Sequence, residues 1–409
     1  MDNVKEKFFT MTDSLLSFST FSCDCVTDVE NIKPGEIKET VKMQALLDKP
    51  VRFAFALNSG LVRLAKNGAI DSDSVLTELL ALPNGDKKAL FRFMAEYGCL
   101  FPISGYEYEA ADIDLLYGIV NRIKAVVYLM SAVGEQKKDY QKIMGLVLYL
   151  QLSQPIEIPL SLFGNNPFRT CEHPAYTEIM KPFTVPRIVD SSLPFDHPHY
   201  YPDEVIITDS IFSPTYTMPS IELDYLMNGL DARKGADRSS ILRSTSYLYG
   251  FAHNLPPETR LVIEFLFHYQ YSIAVFKNFF FDGTIEFYDS SDNIDQCHLS
   301  NFNDGMKLAL IDIAKYTIRD EISYNLGGMY PRYDINSMSP AWEIQDLLTG
   351  IYMSIFFMRP GVELYRKCSN PNCNRMFLVN TTSLKRKYCS SSCRNATAQR
   401  THRYRKQSQ

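Results

Sequence analysis

The last 44 residues of this 409-residue chain, Arg366 to Gln409, contain four cysteines in two close pairs, eleven Lys or Arg, and no Asp or Glu. Four residues separate Cys368 from Cys373, three separate Cys389 from Cys393, and fifteen lie between the pairs. Zinc takes four thiolates at about 2.3 Å, and two short knuckles joined by a loop of this length supply them. Cys368, Cys373, Cys389 and Cys393 are therefore the expected ligands of one zinc ion. Four protein ligands leave no open position, so the ion is expected to be structural. Phe377 and Tyr388 offer a tiny core that the metal completes, and without metal the tail is expected to be disordered.

Charge indicates what such a module would meet. The chain holds 42 Lys or Arg and 47 Asp or Glu, so residues 1–365 carry 31 against 47 and stand at −16, while the tail stands at +11. A dense positive patch attracts phosphate backbones and an acidic body repels them, so nucleic acid is expected at the C-terminal end. Lys385-Arg386-Lys387 precedes Tyr388 and Cys389, and Arg375 lies in the first half of the module. The spacing predicts a helix from about Ser391 to Lys406, with serines capping its start. On it Asn395, Gln399, His402 and Lys406 share one stripe, and Ala396, Arg400 and Arg403 the next, with Arg394 and Arg405 beside them. Asn and Gln pair bidentately with adenine, while Arg and Lys hold phosphates or guanine, so this helix has the chemistry of a groove reader.

The stretch from Cys368 to Arg405 resembles the CGNR zinc-finger family of bacterial proteins, whose C-terminal module often follows a helical domain of the ABATE type. The likeness rests on the two cysteine pairs, Phe377, the triplet Lys385-Arg386-Lys387 leading into an aromatic and Cys389, and Arg400, Arg403 and Arg405. Where the family name spells Cys-Gly-Asn-Arg, this chain has Cys393-Arg394-Asn395-Ala396, which keeps Cys and Asn and moves the arginine. The resemblance implies a regulator of transcription that binds DNA through its zinc module.

With 45% hydrophobic and 22% charged residues, the rest of the chain can bury a sizeable core. The predicted class is α+β, mainly α with a small β component, and a treble-type zinc module ending in a basic helix. Four regions are expected: 1–154, mixed and then helical; 155–220, a proline-rich irregular excursion; 221–362, an α+β region; and 363–409, the basic zinc module. Residues 1–50 are polar and mixed, with a Pro34-Gly35 turn. From Asn84 to Leu152 apolar residues recur at helical spacing, with Tyr97-Gly98 as a helix stop. Phe279 to Phe287, centred on Asp282-Gly283, reads as a hairpin with a two-residue turn. Helices are expected over Met306–Tyr324 and Pro340–Met358, the latter capped by Ser339 and buried along Leu347, Leu348, Ile351, Tyr352, Ile355 and Phe356. No stretch approaches about 18 uncharged apolar residues, and Met1 to Phe9 carries Asp2 and Glu6, so the expected location is the cytoplasm, with no membrane role. Cys23, Cys25, Cys99, Cys171 and Cys297 show no ligand or disulfide regularity.

Catalysis is not expected. Cys171 with His173, His197 with His199, and Cys297 with His298 are the only candidate constellations, and none sits in a partnered motif. Two alternatives to DNA binding remain open, an RNA-binding role and a knuckle that grips an acidic protein surface, including that of a second copy in a homodimer.

Overall fold

The computed structural model describes residues 18–33, 36–56, 60–164, 166–184, 245, 248–249, 254–274, 276–287, 302–335, 338–360, 362–373, 375–380 and 386–407. They divide into two compact units: Met1–Gln136 with Pro155–Cys171 and Glu321–Gln409, and Lys137–Gln154 with Glu172–Asp320.

The first unit opens on an antiparallel sheet. Strands β1 (Phe18–Lys33) and β2 (Glu36–Ala56) form a long hairpin in which Phe18 faces Phe53 and Lys33 faces Glu36. Strands β3 (Gly60–Leu64) and β4 (Ile70–Ser74) continue it, and β5 (Glu109–Asp112) pairs with β2 on the other side. Period-2 alternation marks the middle of β2, where Val41, Met43 and Ala45 are buried and Lys42 is exposed, while Phe53, Ala54 and Phe55 are all buried and Val26 and Val29 on β1 are exposed. The α+β class holds, but the β part is larger than helical spacing suggested. Residues 1–50, unassigned from sequence, supply most of it; Pro34 and Gly35 lie outside the described residues.

Helices cover the sheet. After α1 (Val75–Leu80) comes α2 (Lys87–Tyr97), capped by Asp86, whose side chain accepts from the Ala89 N–H at 3.1 Å. It stops at Gly98, as Tyr97-Gly98 indicated, with φ of +97°. A Cβ there would also stand 2.8 Å from the Phe21 carbonyl oxygen. Gly98→Ala is therefore expected to destabilise the unit by at least about 1–3 kcal/mol, read as a lowered thermal midpoint.

Helix α3 (Ile113–Gly134) is the centre of the unit. By length and composition it could cross a bilayer, although it offers no run of 18 uncharged residues, and 72% of its most apolar window is buried inside the protein. Two charges interrupt that apolar run. Lys124 donates to the Leu82 carbonyl at 2.7 Å and Asn84 Oδ1 at 3.0 Å, and burial pulls its pKa down to about 8. Arg122 pairs with the fully buried Glu321.

Two further expectations change near residue 340. Ser339–Ile344 is a strand, β11, paired with β10 (Met329–Asp334), so Ser339 is not a helix cap. Pairing with β10 overrides the local Ser-Pro helix signal. Helix α4 starts later, at Leu347, capped by Asp346, and ends at Phe356, which is 54% exposed rather than part of the buried stripe.

The second unit, described on its own, packs α5 (Tyr140–Leu152), α6 (Pro174–Thr184), α7 (Pro257–Ser272) and the part of α8 (Asp304–Asn325) up to Asp320 around Phe265, Phe267, Met306 and Leu310. The segment read as irregular thus holds a helix over 174–184 and, in the first unit, a short strand pair, Glu157–Ile158 with Phe168–Arg169. Pro174 sits at the start of its helix, where a missing N–H leaves no bond unmade. Residues 185–220 lie outside the described residues. The hairpin read near Asp282-Gly283 forms, Phe276–Phe279 against Ile285–Phe287, with a different turn. Gly283 N–H bonds the Phe280 carbonyl at 3.0 Å and only Gly283 has positive φ, +89°, so this is a three-residue loop with a glycine bulge.

Candidate metal centre

The C-terminal module is built outward from a strand pair. Strand β12 (Glu363–Lys367) pairs antiparallel with β13 (Met376–Asn380), Arg366 facing Phe377 and Lys367 facing Met376. The turn between them carries the first knuckle. Cys368 N–H donates to the Arg375 carbonyl at 3.0 Å, Cys373 N–H to the Asn370 carbonyl at 2.8 Å, and Asn372 N–H to Asn370 Oδ1 at 3.2 Å. Asn370 folds its own backbone around its side chain, the local habit of Asn ahead of Pro. Ser369 N–H reaches the Lys387 carbonyl at 2.9 Å and ties the first knuckle to the second.

The second knuckle opens helix α9 (Ser391–Gln407). Ser390 caps it, its Oγ accepting from Cys393 N–H at 3.2 Å, which points the first helical turn toward the other thiols. Cys373 and Cys389 Sγ are 3.7 Å apart, Cys389 and Cys393 Sγ are 3.6 Å apart, and all four sulfurs lie within 4.8 Å of one another. Four thiolates around zinc at about 2.3 Å stand about 3.8 Å apart in a tetrahedron. The cage thus has the size of a zinc site. Cys368, Phe377 and Val379 form the small core expected, with Tyr388 against it.

The surroundings favour thiolate at one sulfur and oppose it at two. Cys393 is pulled down to about pKa 6, first by the Asn370 side chain and then by Ser390, while burial pushes Cys373 and Cys389 up, the latter to about 12. Asn370 is 6% exposed and braces two knuckles at once, a role sequence reasoning assigned only to the turn as a whole.

The predicted nucleic-acid residues fall into distinct settings. Arg386 lies 5.3 Å over the Phe377 ring and donates to the Cys389 carbonyl at 2.9 Å, so it braces the cage. Arg375 pairs with Glu78 of α1 at 3.5 Å. Arg394, Asn395 and Gln399 are exposed along α9, Arg400 is half-buried, and Lys387 is exposed beside the cage. Lys385 and the side chains of His402, Arg403, Arg405 and Lys406 lie outside the described residues.

The module's first strand is fixed to the body. Tyr365 N–H donates to Ser131 Oγ at 3.2 Å, its hydroxyl meets Thr77 Oγ1 at 3.3 Å, and Arg366 pairs with Glu135 at 3.7 Å. A Cβ on Gly134 would stand 2.3 Å from the Pro360 carbonyl oxygen, so the glycine at the end of α3 lets the chain leading to β12 pass. None of these partners carries a sequence motif. Of the other Cys and His candidates, His173 is buried 3.8 Å from Asp320 and the Cys171 carbonyl accepts from Arg122 at 2.7 Å, while His197, His199, Cys297 and His298 lie outside the described residues. No curated protein and no solved structure matches the chain. Residues 365–406, most of the strand pair, the cage and nearly all of α9, match the family model of the CGNR zinc finger, and the chemistry of this four-thiol cage points to zinc as its ion.

Proposed function

We propose that the chain is a zinc-dependent nucleic-acid-binding protein, a DNA-binding regulator whose body presents the C-terminal module to a duplex. One observation carries this reading: Arg394, Asn395 and Gln399 stand exposed on a helix whose first turn holds a cage cysteine, in a segment with no acidic residue. A cage that fixes the helix start removes most of the ordering cost of docking it in a groove. The ion is one structural zinc and the chain works without catalysis, in the cytoplasm. A homodimer would offer two such helices to a two-fold site.

Fluorescence anisotropy with duplex DNA, single-stranded DNA and RNA tests it. Duplex DNA is expected to bind with a log–log salt slope of about −5 if some six phosphates are engaged. Arg394→Ala should weaken binding and flatten that slope by about 1. Equal failure on all three nucleic acids, with zinc-loaded protein at low salt, removes the reading. A second reading draws on precedent within the chain: Arg366 and Arg375 pair with the protein carboxylates Glu135 and Glu78, and the exposed Lys387 and Arg394 could meet those of an acidic partner in the same way. Binding to an acidic protein with none to nucleic acid would favour it.

A further inference from the structure

Three cysteines that look unrelated in the sequence meet in the first unit. Cys23 and Cys25 are two apart on β1 and share a face, with their Sγ atoms 3.5 Å apart. Cys25 Sγ is 4.0 Å from the Met94 thioether of α2, and Cys99, just past the end of that helix, is near enough to Cys23 to act to raise its pKa. Four sulfurs thus gather where β1 crosses the end of α2. The cysteine pair is far beyond the roughly 2.05 Å of an S–S bond, so the thiols are separate.

We propose that Cys23, Cys25 and Met94 form a binding site for a soft monovalent cation of the Cu(I) class. Three donors around an ion at about 2.3 Å make a triangle with edges of about 4.0 Å, and two edges of this one are 3.5 and 4.0 Å. A thioether beside two thiols, both held protonated and losing their protons to solvent as the ion binds, is a poor set for zinc, which takes four harder or anionic donors, and a good one for Cu(I). Cys23 and Met94 are each 2% exposed, and Cys25 is partly exposed, so an ion would enter past Cys25 into a dry sulfur pocket. A second observation marks the place. Between Phe21 and Cys23 the β2 partner jumps from Pro50 to Ala45, an interruption of the ladder at the edge of the cluster. Such breaks re-aim side chains and gather next to functional sites.

The zinc module also binds soft ions, so the test separates the two. Full-length zinc-loaded protein is titrated without oxygen against Cu(I) held by a chromophoric chelator, while an indicator follows zinc. The first equivalent is expected to bind with no zinc released. Cys25→Ser should abolish that uptake. Met94→Leu, which keeps the apolar volume, should weaken it by more than about tenfold at unchanged zinc content and thermal midpoint. Release of zinc by the first equivalent, or uptake by Met94→Leu equal to that of the parent, overturns the proposal. Should Cys25→Ser fail to fold, Met94→Leu alone decides.

Discussion

Replacing Cys389 with serine, or removing the metal with a strong chelator, is expected to abolish nucleic-acid binding and unfold the chain from the second knuckle onward. Metal binding in a module this small is its folding free energy, about 10–16 kcal/mol in apparent terms, and a cage that loses one thiolate loses most of it. The effect should be local. Strand β12 precedes the first ligand, and Leu364 and Tyr365 are buried at 1% and 7% exposure, with Tyr365 bonded to Ser131 and Thr77. Those contacts need no metal. Hydrogen exchange on the Cys389→Ser variant should show residues 391–407 exchanging at the rate of an open chain, while 363–367 stay protected. The thermal midpoint of the body should move little. If β12 opens together with α9, the metal holds the docking as well, and the body and module are one cooperative structure. If α9 stays protected, the thiolates are not what folds it.

This division explains what could be read from the residues alone. The four ligands, the apolar Phe377 and the serine-capped helix that carries Cys393 in its first turn are local: ligand spacing and cap chemistry lie within a few positions of one another in the chain. The same holds for the Gly98 stop and for helices α3 and α8. What escaped is non-local. The pairing of Ser339–Ile344 with Met329–Asp334 turned a local helix signal into a strand, and Asp346 became the cap instead of Ser339. β12 looks like a polar linker until Ser131 and Thr77, 234 and 288 positions away, bury Tyr365. The meeting of Cys25 with Met94 across 69 positions was hidden for the same reason. Charge misled in a different way: eleven uncompensated cations in the tail become fewer once Arg366 and Arg375 find Glu135 and Glu78. Among the described residues, the exposed cations left for a partner include Lys367, Lys387 and Arg394, with Arg400 half-buried.

Removing Glu321 should produce one of the largest stability losses of any single side-chain truncation in the first unit. Arg122 is 4% exposed and Glu321 fully buried, and the two are paired. The Arg122 guanidinium also donates to the Cys171 carbonyl at 2.7 Å, while Tyr352 hydroxyl donates to Glu321 Oε2 at 3.3 Å. Burial acts to lower the Arg122 pKa, and the facing carboxylate more than offsets it, so the guanidinium stays charged at every accessible pH. Glu321→Ala leaves that charge buried without the carboxylate it faces, at a cost of about 3–5 kcal/mol. Arg122→Met should cost a similar amount by stranding the carboxylate instead. The double variant Arg122→Met with Glu321→Leu removes both charges together and should recover most of the loss, because well-packed apolar pairs of similar volume are often as stable as the ion pairs they replace. Urea unfolding of the four proteins measures this cycle. Single losses below about 1 kcal/mol would mean that water reaches the pair, which its burial denies. Additive losses in the double variant would mean that Arg122 and Glu321 act through separate contacts, Arg122 on the Cys171 carbonyl and Glu321 on Tyr352, and not chiefly on each other.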